Sequence, residues 1–362
     1  MISQDTALPI SLAETARQLN DGGGNCHVGE SLAQLAASGY LGLGVATSLG
    51  GVGGQLWDVV QGIAMVSEQC LTSGFVFWCQ RTLIEYVVAS DNSWLQAEIL
   101  PLVLRAEWSG VTGLSNAMKH LAGIEQLRIQ ASLNADTVQL NGFLPWVSNL
   151  QPDKFVVAIA AQTVNGQSLV VAVPASAKGL TRGEDLQLLG LQASWTSTLQ
   201  FDSVQLPHEW IISDHATTFL PKIRPAFLLM QCGLAWGIAR RSLQETGQSL
   251  NPNNEVALSS RWQINSTQLR HLETELQSLS TTNITDFGIA QIRQLFELRV
   301  TLTRLAVEVV QLELEAKGGA AYLKPSGTAR RLREVSFLPV LTPSLVQLET
   351  ELHRHASAGN AI

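Results

Sequence analysis

The chain has 362 residues, enough to bury a large core and to divide into about two or three domains. Its formal net charge of −7 leaves no electrostatic footprint for nucleic acid or an anionic membrane surface. Only 15% of residues are charged and 46% are hydrophobic, so extensive burial, between subunits included, is expected.

Met1-Ile2-Ser3-Gln4-Asp5 lacks the basic region and apolar core of a signal peptide, and no apolar run reaches the roughly 18 residues a membrane span needs. A cytoplasmic protein is expected. A helix opens at Ser11 with a serine cap and stops at Gly22-Gly23-Gly24, and a second covers residues 30–37. The glycine-dense stretch Leu49-Gly50-Gly51-Val52-Gly53-Gly54 reads as a tight loop rather than a phosphate cradle, because no lysine follows and no strand leads directly into a helix. Helical spacing then predicts helices over 56–73, 76–90 and 93–105, with Trp57, Trp78, Trp94 and Trp108 as packing residues, one of which borders a pocket at most. The first third, 1–109, reads as an all-α domain.

From 110 to 212 the pattern changes to short β-branched runs at 126–131, 137–140, 155–161, 169–173 and 198–207. Asn134-Ala135-Asp136 is a hairpin turn. Antiparallel strands without intervening helices argue for a small barrel or sandwich. From 213 to 362 four long helical patterns, at 225–245, 256–278, 285–316 and 329–353, read as an up-and-down bundle. The third is apolar on most faces, which places it at the bundle centre or at a subunit interface.

Cys26, Cys70, Cys79 and Cys232 show no CxxC spacing and read as small buried hydrophobes. No histidine pair lies at metal spacing on one helix face, so no metal is expected; His120 is the one histidine to weigh as a proton donor, and it reads first as a polar loop residue.

The order of these regions and several local motifs resemble the acyl-CoA dehydrogenase family of flavoproteins over nearly the whole chain. Leu41-Gly42-Leu43-Gly44 leading to Gly50-Gly51-Val52-Gly53 is similar to that family's N-terminal turn. Val111-Thr112-Gly113-Leu114 stands at its flavin loop, and Asn141-Gly142 followed by Trp146-Val147-Ser148-Asn149 resembles its Asn-Gly and Trp-Ile-Thr-Asn pattern. Gly190, Ser194, Thr196 and Val204-Gln205-Leu206-Pro207 follow the closing strand, Arg224-Pro225 the start of the central C-terminal helix, and Gly318-Gly319-Ala320-Ala321-Tyr322 the Gly-Gly-x-Gly-Tyr segment. The resemblance implies an α+β fold: an N-terminal all-α domain, a β-barrel-like middle domain and a C-terminal four-helix bundle. It implies FAD held by Thr112, Gly113, Trp146, Val147, Ser148, Gly318, Gly319 and Ser344, and substrate met by Arg224 and Met118. It also implies an acyl thioester or similar hydrophobic substrate, a homodimer or homotetramer, and an electron-transfer or flavin-reductase partner.

A flat aromatic wall with a hydroxyl and backbone amides is what an isoalloxazine edge needs in a dry site, and Trp146, Thr112 and Ser148 supply that set. The departures from the family matter as much. Thr342 stands where the family has its glutamate base, with Pro343-Ser344 in place of Gly-Thr, and no Asp or Glu lies between Asp214 and Glu245, where branched-chain members carry theirs. Glu334 and Glu315 flank the same helices and are the carboxylates that remain. Gly113-Leu114 replaces Glu-Pro, Met118 replaces the serine that meets the pyrophosphate, Glu315 stands at the usual glutamine, and the Arg-x-x-Phe-Gly segment is missing around 249–262. Two alternatives to a dehydrogenase therefore stay open: a reduced-flavin monooxygenase, and a non-catalytic binding or structural subunit.

Overall fold

The computed structural model describes residues 11–19 and 28–359. The glycine stop at Gly22-Gly23-Gly24, Cys26, His27 and residues 1–10 lie outside the described residues. Helices α1 (Ser11–Gln18), α2 (Gly29–Ala37), α3 (Leu56–Gln69), α4 (Leu71–Ala89) and α5 (Leu100–Leu104) precede the strands. The glycine loop before α3 is closed on itself: the amides of Gly44 and Gly53 donate to Gly53 O and Val45 O, both at 2.8 Å, which leaves no cradle of free amides.

The helix expected over 56–73 is broken. Cys70 is extended at φ −154°, and its sulfur accepts from the Ser73 amide as the cap of α4. From Leu71 to Ile84 every residue of α4 is buried. Burial also holds the thiols of Cys70, Cys79 and Cys232 above their ordinary range, as expected of inert core cysteines.

Strands β1 (Ser109–Thr112), β2 (Ile129–Leu133), β3 (Thr137–Val147), β4 (Phe155–Thr163), β5 (Ser168–Pro174), β6 (Leu180–Arg182), β7 (Ser197–Pro207) and β8 (Ile211–Ser213) form one mixed sheet, with α6 (Ser115–Leu121) after β1. The path runs β6-β7-β3-β2-β4-β5-β8. Expected to be antiparallel and free of helices, the sheet differs in two respects. Both β1 and β2 run parallel to β4, pairing Ser109 with Phe155 and Ile129 with Ala161, and α6 fills the step between them. Alternate residues of β4 face two cores, Val157 and Ile159 toward the sheet's own and Val156 and Ala158 toward the helices, which explains its unbroken apolar run.

Five helices follow: α7 (Ala216–Ser249), α8 (Glu255–Thr281), α9 (Ile289–Lys317), α10 (Gly327–Val335) and α11 (Leu345–Gly359). Gly233 and Gly237 let α7 lie directly on α3, since a Cβ there would meet Val60 O at 2.8 Å and Ala64 O at 2.2 Å. Trp236 stacks on Trp57 beside them, with centroids 5.4 Å apart.

Two expectations for this region are corrected. The single helix over 329–353 is two, because Pro339 and Pro343 remove amide donors and turn the chain across 336–344, the segment that carries Thr342. Nor is α9 apolar all round: Arg293, Glu297, Arg304, Glu308 and Glu315 form an exposed stripe at helical spacing. Its apolar residues face α7, α8, α10 and α11, which is the bundle-centre position expected of it, and the helix buried on every side is α4.

Candidate functional site

The end of β3 and the start of β1 are joined by a buried amide knot. Gln80 on α4 accepts from the Gly110 amide at 2.6 Å and donates to the carbonyls of Val103 (2.7 Å) and Trp108 (3.0 Å). Asn149, just past β3, donates to Gly110 O at 2.9 Å and to Gln80 Oε1 at 3.2 Å, and its own Oδ1 is buried without a partner. Replacing Gln80 with leucine strips an acceptor from Gly110 and Asn149 together. The expected cost is about 1–3 kcal/mol, read from urea unfolding midpoints, and a loss near zero would mean that the knot holds nothing.

Around this knot lie two hydroxyl groups of residues. Thr112 shares a hydrogen bond of 3.0 Å with Tyr86, whose hydroxyl is driven above its ordinary range by burial and stays protonated. Ser148 bonds Thr196 at 2.7 Å, which bonds Ser194 at 2.8 Å. Between β3's buried Leu144 and Val147, Trp146 turns outward and is 65% exposed, a large indole face presented beside Ser148. Gly113 fits only as glycine, because a Cβ there would lie 2.9 Å from Ala158 O of β4.

A second cluster approaches from the C-terminal helices. Gln231 on α7 donates to Thr342 O at 2.9 Å. Arg299 on α9, wholly buried, donates to Gln231 Oε1 at 3.1 Å and to Leu338 O at 3.2 Å, so both ends of the 338–342 turn hang on one guanidinium. Burial lowers the Arg299 pKa to about 10, which still leaves it charged at neutral pH. Ser344 accepts from the Gln347 amide at 3.2 Å in the manner of a helix N-cap, and Gln347 donates to Met118 O at 3.0 Å, which brings α11 against α6. Met118 itself is fully buried.

Arg224, expected to face substrate, has both terminal nitrogens on Glu351, at 2.9 and 2.7 Å, with its guanidinium 4.6 Å from the Phe296 ring centre. The flanking carboxylates are also engaged. Glu334 accepts from the Thr72 hydroxyl at 2.6 Å and from Arg330 at 2.8 Å, and Glu315 pairs with Arg261 at 2.6 Å. His120 bonds Glu125 O at 3.0 Å within its own loop.

Gly318 and Gly319 lie elsewhere, past the end of α9. Nothing stands within 4 Å of a Cβ at either, and they adjoin an open cavity of about 490 Å³ lined by Ser249, Lys317, Ser326 and Thr328. Its charges are matched internally: Lys317 pairs with Glu245, and Arg331 with Glu313. Burial acts to raise the Glu313 carboxyl, and the bonds from Arg331 and Thr328 outweigh it. Thus Thr112 and Gly113 lead into α6, Met118 lies on it and Ser344 reaches it through Gln347, while Thr342 is held by Gln231 of α7; Trp146, Val147 and Ser148 lie across the knot, and the two glycines stand past the end of α9. Sequence reasoning missed Gln80, Gln231, Arg299 and Glu351. Glutamine or arginine within an apolar helical run was the available signal.

No family model matches the chain. The probable acyl-CoA dehydrogenase fadE25 of Mycobacterium leprae is 24% identical over 218 residues, covering 58% of this chain and 56% of the relative. The chain spans about half the length of the curated relatives it matches. In fold the coverage is nearly complete. Butyryl-CoA dehydrogenase from Megasphaera elsdenii superposes with a TM-score of 0.79 at 15% identity, over 96% of this chain and 98% of that one. Dibenzothiophene monooxygenase from Paenibacillus sp. A11-2 does so with a TM-score of 0.76 at 18% identity, over 95% and 94%. The chain thus has, along nearly its whole length, the α+β fold of the acyl-CoA dehydrogenases, and over about half of it a sequence similarity to them.

Proposed function

We propose that the chain is an FAD-dependent oxidoreductase that acts on an acyl thioester or a similar hydrophobic substrate. The observation that carries this reading is the junction of β1 and β3, where Thr112 and Ser148 offer hydroxyls on either side of the Asn149 tie and Trp146 leaves its indole face uncovered. Those residues fit an isoalloxazine ring, and the unpaired Asn149 Oδ1 marks a buried polar site that is still short of a donor. When bound there, FAD supplies a two-electron acceptor. Thr112 and Ser148 would hold the ring's polar edge, Trp146 would cover its apolar end, and the α6 side would close the cleft with Met118. Gly318, Gly319 and the cavity beside them would serve a neighbouring subunit's cofactor, in a homodimer or homotetramer in the cytoplasm.

A reduced-flavin monooxygenase is the second reading. It is favoured by the hydroxyl at Thr342 and by the engagement of Glu351, Glu334 and Glu315 in other bonds, since oxygen chemistry at a flavin needs no base at the substrate's α-carbon. The fold shared with a dibenzothiophene monooxygenase is consistent with it.

The purified protein is expected to show the visible absorbance of an oxidised flavin or to acquire it on adding FAD. A colourless protein that takes up none would leave the non-catalytic reading. Trp146→Ala is expected to weaken FAD binding about fivefold or more, the loss of an aromatic contact of about 1 kcal/mol. Equal affinity in titrations of both proteins would count against Trp146 as the wall.

A further inference from the structure

The hydroxyls of Ser194, Thr196 and Ser148 stand in a row, 2.8 Å from the first to the second and 2.7 Å from the second to the third. Its inner end is closed. Ser194 is wholly buried and Thr196 is 7% exposed; among the described residues the Ser194 hydroxyl has Thr196 as its one partner, and that of Thr196 has only Ser194 and Ser148. The backbone is bent to bring the first two hydroxyls together. Trp195 between them stands at φ 48°, a left-handed conformation that a bulky residue keeps only when its surroundings impose it, and its ring lies so close to α2 that a Cβ on Gly29 would be 2.7 Å away. The Asn149 amide donates to Ser194 O at 2.8 Å and the Leu150 amide to Trp195 O at 3.1 Å, so the row is also fastened to the chain leaving β3.

Three hydrogens have to be placed on this row. If Ser148 donated inward, Thr196 would turn its hydrogen to Ser194, and the Ser194 hydrogen would be left in the interior without an acceptor. If Ser194 and Ser148 both donated to Thr196, the Thr196 hydrogen would be the one left over. A single arrangement leaves none. Ser194 donates to Thr196, Thr196 donates to Ser148, and Ser148, half-buried at the outer end, directs its own hydrogen into the cleft. Trp146 and Ser148 are two residues apart in extended chain and share a side, with the buried Val147 on the other. A ring whose apolar end lies on Trp146 brings to Ser148 the polar atom next to that end. In an isoalloxazine this atom is a nitrogen, a bare acceptor when the ring is oxidised and a carrier of hydrogen when it is reduced.

We infer that Thr196 is a positioning residue that fixes Ser148 as a hydrogen-bond donor, so that the site holds oxidised flavin more tightly than reduced flavin. This rests on the oxidoreductase reading for the place of the ring. A serine free to rotate would accept from the reduced ring as readily as it donates to the oxidised one. Held by Thr196, it meets the reduced ring hydrogen to hydrogen.

The test is the reduction potential of bound FAD, measured against a reference dye during dithionite titration of the wild type and of Thr196→Val, Thr196→Ser, Ser194→Ala and Ser148→Ala. Valine keeps the shape of threonine but leaves Ser148 free to turn. The potential of Thr196→Val is expected to rise by about 30 mV, which for a two-electron couple is about a tenfold change in the ratio of the two affinities. Ser148→Ala should rise by a similar amount, and Thr196→Val should add nothing in that background. Thr196→Ser keeps the donor, and Ser194→Ala leaves Thr196 with Ser148 as its only acceptor, so both should stay at the wild-type value. An unchanged potential in Thr196→Val overturns the inference, as does an equal rise in Ser194→Ala, which would make the effect a loosening of the loop. If Thr196→Val fails to fold, Ser148→Ala decides: an unchanged potential there overturns the inference and a rise supports it. A protein that takes up no FAD would instead count against the oxidoreductase reading, and the inference falls with it.

Discussion

Glu351→Ala is expected to destabilise the protein by about 3–5 kcal/mol, because it leaves a buried guanidinium without its counter-charge. Arg224 and Glu351 are 8% and 7% exposed, and the carboxylate takes both terminal nitrogens of the arginine. Arg224 Nε already lacks a partner, so little hydrogen bonding survives the change. The Phe296 ring offsets only part of the loss, since a cation over a desolvated ring is worth about 2 kcal/mol. Glu351 also accepts from Gln347 at 3.1 Å, the residue that bonds Met118 O, so α11 should loosen from α6 together with the fall in stability. The double variant Arg224→Leu with Glu351→Leu removes both charges and should recover most of the loss. Urea midpoints of the wild type, both single variants and the pair complete the cycle. A Glu351→Ala protein within about 1 kcal/mol of wild type would mean that water enters the cluster.

Straight-chain acyl-CoA dehydrogenation is expected to run slowly, because general-base assistance typically contributes about 10² to 10⁴ in rate and no carboxylate stands at position 342. The other carboxylates considered are engaged in bonds of their own, Glu351 with Arg224, Glu334 with Thr72 and Arg330, and Glu315 with Arg261. Gln231 fixes the carbonyl of Thr342, so the residue's position does not depend on its side chain. Thr342→Glu should therefore place a carboxylate without moving the turn, and slow bleaching of the flavin on anaerobic mixing with butyryl-CoA is the expected gain. Rapid bleaching by the unmodified protein would mean that a base arrives from elsewhere. Bleaching by neither, with oxygen consumed and product formed under NADH and a flavin reductase, would shift the assignment to the monooxygenase.

The alternation of apolar and β-branched residues marked β4, β5 and β7 in the sequence, and the three to four spacing marked α3, α7, α8 and α9. What stayed hidden depends on partners distant in sequence. Cys70 reads as one more apolar residue in a helix, and only its extended backbone and its sulfur's bond to the Ser73 amide end α3 there. Counting apolar residues on α9 suggested burial all round, whereas the spacing of Arg293, Glu297, Arg304 and Glu308 places its charges along one side. At the site, Trp146 and Ser148 were read as candidate flavin contacts from residues adjacent in sequence, and the structure leaves Trp146 exposed beside the Ser148–Thr196 hydroxyl pair at the end of β3. Arg224 was read as a substrate contact and not as half of an ion pair, since Glu351 lies more than a hundred residues away with no pattern linking the two.

That α7 lies bare-backboned on α3 has a bearing on synthesis. The face of α3 that carries Val60 and Ala64 cannot be covered until Gly233 and Gly237 have left the ribosome, and the whole sheet is made in between. At typical elongation rates of about 5–20 residues per second, that interval is on the order of ten seconds. For that time the first helices present an apolar surface for which the nascent chain has no cover, while the strands behind them emerge with open edges. Premature release after β8 would strand the chain in that state, so a truncated product should be a target for holdase chaperones rather than a stable fragment.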